Sequence, residues 1–189
     1  MSETTIVGKV VSVHAGAGDT LGTGPIEVGL DGIVGNRHRG FFRKNWKDDK
    51  QPEGVTRRNE RHWSAVSVEE LAGIQQAMNL VEPLLAASLG ANFCLQGVPD
   101  LSRLARGTLL KFSSGVELMV EEYNPPCREM GEKLAAMHTS KSDEWIPAGA
   151  FSQAAKFSRG VVGVVEVAGT ISTGDEVRVE PPHLPKWLR

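Results

Sequence analysis

The chain has little of what several common functions require. Its 189 residues hold two cysteines, Cys94 and Cys127, which form no CxxC pair. Neither a disulfide scaffold nor a paired-thiol redox centre is expected, and free thiols in a reducing cytoplasm follow. The histidines His14, His38, His62, His138 and His183 are scattered without paired ligand spacing, which argues against a structural zinc site. There is no Walker loop and no nucleophile-elbow serine, and Gly16-Ala17-Gly18 lacks the third glycine of a dinucleotide fingerprint. No apolar run is long enough to span a bilayer. The start, Met1 to Thr5, carries no basic residue, and the apolar run after it is broken by Lys9, so no signal peptide or membrane segment is expected. A formal net charge of −2 removes the electrostatic case for binding nucleic acid or a membrane surface through the chain as a whole. No internal repeat or low-complexity block appears.

What is present is an ordinary globular composition, 40% hydrophobic and 23% charged, enough for one core and one domain over residues 1–189. Alternation predicts a strand from Thr4 to His14. After a turn through Gly16, Gly18, Gly22 and Gly24, an extended run covers Pro25 to Leu30. The densest positive stretch follows, with Arg37, His38, Arg39, Arg43 and Lys44 interleaved with Phe41, Phe42 and Trp46. A polar loop, 47–58, leads to a strand at His62 to Val66. Ser67-Val68-Glu69-Glu70 has the form of a capping box opening a helix to about Met78. Pro83 and Gly90 bracket a second short helix. Strands are expected at Asn92 to Gln96, Thr108 to Phe112, Val116 to Tyr123, Val161 to Ala168 and Glu176 to Glu180, with helices at Arg128 to Met137 and Pro147 to Phe157. Strands outnumber helices, which fall between them as insertions. The fold class is therefore mainly β (α+β), a closed or nearly closed β-barrel decorated with short helices.

Two features could carry chemistry. Cys127 follows Pro125 and Pro126, which fix φ and offer no amide hydrogen, so the thiol sits at a strand-to-helix junction. There the helix's partial positive charge and Arg128 favour thiolate while Glu129 and Glu132 oppose it; a buried small hydrophobe is the other reading. Cys94, between Phe93 and Leu95, reads as core. The second feature is Gly35-Asn36-Arg37-His38-Arg39-Gly40, where glycines allow close backbone approach and the cations suit an anion such as phosphate; a solvated basic loop is the alternative. The nearby aromatics could stack bases or could be core.

In order and spacing these pieces resemble the MOSC domain family, named for the C-terminal domain of molybdenum cofactor sulfurases and found also as small stand-alone bacterial proteins. Residues 35–40 look like its Gly-Asp-x-His-x-Gly. Leu89-Gly90-Ala91-Asn92-Phe93 with Gly97-Val98-Pro99-Asp100-Leu101 looks like its Leu-Gly-Glu-Asn-Leu and Gly-x-x-Leu, and Pro126-Cys127 matches its Pro-Cys. Arg159-Gly160-Val161 and Gly169-Thr170-Ile171 through Gly174-Asp175 look like its closing Arg-Gly and hairpin. The resemblance implies a MOSC-type β-barrel and the molybdenum cofactor (molybdopterin), held stably or transiently. It implies cofactor contacts at Gly35, Asn36, Arg37, His38, Gly40, Asn92, Arg128, Arg159 and Gly160, with the phosphate at the basic loop and Arg159. Cys127 becomes a sulfur carrier or a direct molybdenum ligand. The activity implied is sulfur transfer, or reduction of N-hydroxylated compounds, with a sulfur donor or redox protein as partner and no nucleic acid or membrane. Two positions depart from the pattern: Asn36 stands for aspartate and Ala91 for glutamate. Both remove carboxylates, and they keep open a non-catalytic barrel that binds an anionic small molecule or a partner protein.

Overall fold

Seven strands close on one another to make the centre of the molecule. The computed structural model describes residues 6–16, 24–47, 49, 51–183 and 187. Twelve strands are assigned among them: β1 (Ile6–Val13), β2 (Ile26–Gly29), β3 (Gly32–Ile33), β4 (Phe42–Lys44), β5 (Thr56–Arg58), β6 (Trp63–Ser67), β7 (Phe93–Gln96), β8 (Leu109–Phe112), β9 (Glu117–Tyr123), β10 (Val161–Val167), β11 (Gly169–Ile171) and β12 (Glu176–Glu180). Three helices accompany them: α1 (Val68–Ala77), α2 (Arg128–Met137) and α3 (Ala150–Ala154). The barrel order is β1-β12-β8-β9-β10-β6-β7, with β7 returning to β1. Closure leaves the barrel, as described, without a bare strand edge. The pair β6–β7 is parallel, which demands a crossover; α1 and a short 3₁₀ turn at Ala87–Leu89 supply it. A small sheet, β11-β2-β3, and a separate ribbon, β4-β5, complete the structure. Among the described residues no helix is long and apolar enough to cross a membrane.

Alternation along β6 and β7 sorts side chains into two cores. Ala65, Phe93 and Leu95 point into the barrel beside Trp63, Phe112 and Leu118. Val66 and Cys94 point outward, where Leu71 and Ile74 of α1, Leu134 of α2 and Phe151 of α3 cover them. Cys94 is 5% exposed, and burial pushes its thiol up to about 11, so it is an inert core residue.

Several expectations are corrected. In β1 the strict alternation fails because the register with β7 shifts between Val10 and Ser12; the bulge turns Val13 inward in place of Ser12. Ser67 caps α1 by accepting from the Glu70 amide, 3.2 Å. Glu70 does not reach back, because its carboxylate accepts from the amide and hydroxyl of Ser102, 2.9 and 3.0 Å. The helix expected from Pro83 is only the 3₁₀ turn, closed by Gly90 at φ 64°. The helix expected over Pro147 to Phe157 is α3 alone. The polar loop 47–58 ends in β5, which pairs with β4 and leaves Phe41, Phe42 and Trp46 exposed (55%, 73% and 48%) instead of in the core. Of the expected glycine turn, Gly18 and Gly22 lie outside the described residues.

Candidate functional site

The ladder between β9 and β10 ends at Tyr123 and Val161, because Pro125 and Pro126 have no amide hydrogen to extend it. The chain turns there, tied by the Asn124 amide to the Gly160 carbonyl (3.0 Å), and enters α2. Cys127 is the N-cap of that helix, in extended conformation (φ −117°, ψ 161°), and its side chain makes no capping bond. The thiol is exposed. It stands at the positive end of a ten-residue helix with its sulfur uncommitted. Arg128 is turned away, 82% exposed and paired with Glu132 at 2.9 Å.

Arg159 approaches from the segment before β10. Gly160 allows this: its φ is +91°, and a Cβ there would overlap the Ala65 carbonyl. Its amide donates to the Ser102 hydroxyl (2.6 Å), which donates in turn to buried Glu70. Arg159 itself is only 8% exposed. Nη2 donates to the Leu89 carbonyl at 3.1 Å, and Nη1 has no partner. Desolvation first, and then the positive field of Arg61, push the guanidinium down to about 10, with Cys127 and Tyr123 acting in the opposite sense. Arg61, Tyr123 and Cys127 therefore each lie within electrostatic reach of Arg159.

Arg61 is half-buried. It donates to Asn124 Oδ1 at 2.8 Å and lies 5.5 Å over the Trp46 ring. Burial and the charge of Arg43 hold it below the usual arginine range. Trp46 also meets His38 edge-on at 6.1 Å. His38 is held by its loop: its amide donates to Asn36 Oδ1 (2.8 Å), and its carbonyl, with that of Gly40, accepts from Asn59 (2.7 and 2.8 Å). Burial, then Arg37, Arg61 and Arg43, push the imidazole down to about 4. Arg37 Nε donates to His38 Nε2 at 3.1 Å, so the neutral ring carries its proton on Nδ1. His38 is a fixed donor at neutral pH and no proton reservoir.

Ion pairing separates the arginines that are not fully exposed. Arg43 is neutralised by Asp49 and Glu60 (2.6 and 2.5 Å), and Arg57 reaches the same two acids. Arg61 and Arg159 have only neutral hydrogen-bond partners among the described residues. Two buried or half-buried cations without an ion-pair partner among the described residues, with an exposed thiol in the field of one of them, make an anion-receptive site. Among the described residues no cluster of three or more His, Cys, Asp or Glu side chains is placed to hold a metal ion.

Of the residues singled out from sequence, Cys127 lies in the field of Arg159 and His38 in that of Arg61, Asn36 and Gly40 fix the His38 loop, Gly160 (φ +91°) stands beside Arg159, and Gly35 (φ +81°) shapes the loop. Arg37 serves through His38. Asn92 lies elsewhere in role: it is 4% exposed, and its side chain bonds the Ser64 amide and hydroxyl and the His14 carbonyl, tying β6 and β7 to the end of β1. Both of its side-chain polar atoms are engaged in this structural tie. Arg128 makes an exposed pair with Glu132 through Nε. Sequence reasoning missed Arg61, Tyr123 and Asn124. A signal was present for Asn124, which precedes Pro125-Pro126; none marked Arg61 out from the other arginines.

Comparison with known proteins bears on the family and the fold. The MOSC domain family model matches residues 52–178, leaving the His38 loop just outside the match. YuaD of Bacillus subtilis (strain 168), whose name associates it with metal-sulfur cluster biosynthesis, is 36% identical over 149 residues, 78% of this chain and 76% of that one. The crystal structure of YuaD superposes with a TM-score of 0.86 at 30% identity, covering 95% of this chain and 99% of that one. YiiM from Geobacillus stearothermophilus gives 0.60 at 15% identity, over 91% and 74% of the two chains, a likeness of fold alone. With a closed barrel and an exposed Pro-Cys at its rim, the chain belongs to the MOSC domain family.

Proposed function

We propose that this protein binds the molybdenum cofactor through Arg159, Arg61 and the His38 loop, and that Cys127 serves as sulfur carrier or molybdenum ligand. The observation that carries this reading is the orphaned Nη1 of Arg159, buried without a counter-charge beside an exposed thiol. Burying an uncompensated cation costs stability, and an anionic ligand reaching Nη1 and Arg61 removes that cost. The residues fit the cofactor: cations and the Nδ1–H of His38 for its phosphate, and a thiol for its soft metal. When bound, the cofactor supplies a molybdenum centre and its sulfur chemistry. Cys127 presents sulfur there, while Arg159 and Arg61 hold negative charge in place. The activity is sulfur transfer or reduction of N-hydroxylated compounds, with a sulfur donor or redox protein as partner.

Protein purified from cells that make the cofactor should contain molybdenum and a fluorescent pterin, and Cys127→Ala should lose the metal if the thiol is a ligand. If it is a carrier, incubation with a cysteine desulfurase and cysteine should add one sulfur to the intact mass, removable by reductant and absent in Cys127→Ala. Equal metal in both proteins together with no sulfur gain refutes both roles of Cys127.

A second reading, a barrel that binds an anion without catalysis, is favoured by one observation. Ala91, where the family pattern has glutamate, is 1% exposed in the helix-side core, and Asn36 uses its side-chain oxygen to fix the His38 loop. Neither position offers a carboxylate for proton transfer. On this reading, anion-dependent stabilisation survives Cys127→Ser, and a Cys127-dependent turnover excludes it.

A further inference from the structure

Glu70 is the third residue of α1, where the glutamate of a capping box reaches back to the cap and keeps its carboxylate near water. Here it is turned inward and is 8% exposed, and desolvation holds it above the usual carboxylate range. Burying a carboxylate costs stability unless its oxygens are matched. They are matched by one residue, Ser102, in the 3₁₀ turn Leu101–Arg103: its amide and its hydroxyl donate to the two oxygens at 2.9 and 3.0 Å.

With its proton directed at Glu70, the Ser102 hydroxyl offers its lone pairs to the Gly160 amide, 2.6 Å away. Hydrogen bonds in series polarise and strengthen one another. The carbonyl of the same glycine accepts from the Asn124 amide (3.0 Å), and Asn124 Oδ1 accepts from Nη2 of Arg61 (2.8 Å). One series therefore runs from Glu70 through Ser102, Gly160 and Asn124 to Arg61, and Arg159 is the covalent neighbour of its central member. Something must hold these two cations, because each lacks a counter-charge among the described residues and Arg61 opposes the charge on Arg159. Attraction by Glu70 through space does not serve the ligand: its charge and that of Arg159 both reach Tyr123, and a negative group this near an anion site repels the anion. Its use lies in geometry.

We propose that Glu70 is a positioning residue of the anion site, fixing Arg159 and Arg61 together through Ser102 and Gly160. The proposal rests on the anion site described under Proposed function and adds what sets the placement of its two cations. Glu70 and Ser102 need touch no ligand; they act through the peptide units on either side of Gly160.

The test reads the affinity of the full chain for inorganic phosphate by isothermal titration calorimetry near neutral pH, with the melting temperature alongside. Field and positioning predict opposite signs for Glu70→Gln, which keeps the shape and removes the charge. A residue acting only through its field would give tighter phosphate binding on loss of that charge. A positioning residue should give phosphate binding weaker by about tenfold, the scale of one charge-assisted hydrogen bond. The melting temperature should stay within a few degrees of the wild type, because a neutral amide is cheaper to bury. Ser102→Ala breaks the same series without touching α1 and should weaken phosphate to the same extent, and the double variant should lose no more than either single one. Unchanged or tighter phosphate binding in Glu70→Gln, or losses that add in the double variant, overturn the proposal. Arg159→Met tests the site itself. If the wild type does not bind phosphate, or Arg159→Met binds it equally well, the anion site fails and the role of Glu70 with it. If Arg159→Met loses phosphate while Glu70→Gln keeps it, the site stands and only the role of Glu70 falls.

Discussion

Arg159→Met is the substitution whose outcome separates a site from a scaffold. Arg159 is 8% exposed, and burial lowers its guanidinium from the usual arginine range to about 10. Holding it charged in the folded state therefore costs on the order of 3 kcal/mol relative to the unfolded chain. Against this stands one charge-assisted hydrogen bond, to the Leu89 carbonyl, worth about 1.5–3 kcal/mol. Methionine fills a similar volume with no charge to desolvate. The ligand-free variant should be as stable as the wild type or more stable by about 1 kcal/mol, a rise of roughly 2–4 °C in melting temperature for a chain of this size. Inorganic phosphate should reverse the ranking. At a hundred times its dissociation constant it should stabilise the wild type by about 2.7 kcal/mol, and it should do little for the variant. Calorimetry with and without phosphate reads both effects. If Arg159→Met destabilises the ligand-free protein by about 2 kcal/mol or more, the arginine is part of the scaffold and the reasoning from its orphaned nitrogen fails.

Other outcomes follow from the same geometry. His38 should titrate near 4 by NMR instead of near 6.5; between those values the unfolded chain binds more protons, so stability falls as pH drops from about 6.5 and levels off below about 4. The His38 contribution is no more than about 3 kcal/mol, reduced by solvent screening, and His38→Gln should remove it from the pH dependence. Gly160→Ala should cost at least about 3 kcal/mol in urea unfolding, because the new Cβ meets the Ala65 carbonyl at a φ of +91°. Cys127→Ala should change stability by less than about 0.5 kcal/mol, since the side chain is exposed and caps nothing, while removing any sulfur or metal that depends on the thiol.

Much of the barrel was legible in the sequence because strands betray themselves locally. The alternation of β7 and β9, the valine run of β10 and the α2 periodicity each lie within one segment. The failures share a cause. The β1 bulge depends on its register with β7, the missing half of the Ser67 cap depends on Ser102, and the exposure of Phe41, Phe42 and Trp46 depends on the β4-β5 ribbon standing outside the barrel. In each case the deciding partner is distant along the chain.

The same division holds at the rim thiol. Pro125-Pro126 and the helix pattern after them determined by themselves that Cys127 opens a helix at the end of a strand, because proline removes a ladder donor wherever it stands. Cys94 was core from its neighbours alone. Which arginines matter was decided only in three dimensions. Arg43 and Arg61 look alike in sequence, yet Arg43 forms ion pairs with Asp49 and Glu60 while Arg61 and Arg159 hydrogen-bond only neutral groups among the described residues. Charge compensation is a property of neighbours in space, and the pairing of β10 with β9 and β6 brings the segments that carry residues 61, 127 and 159 together.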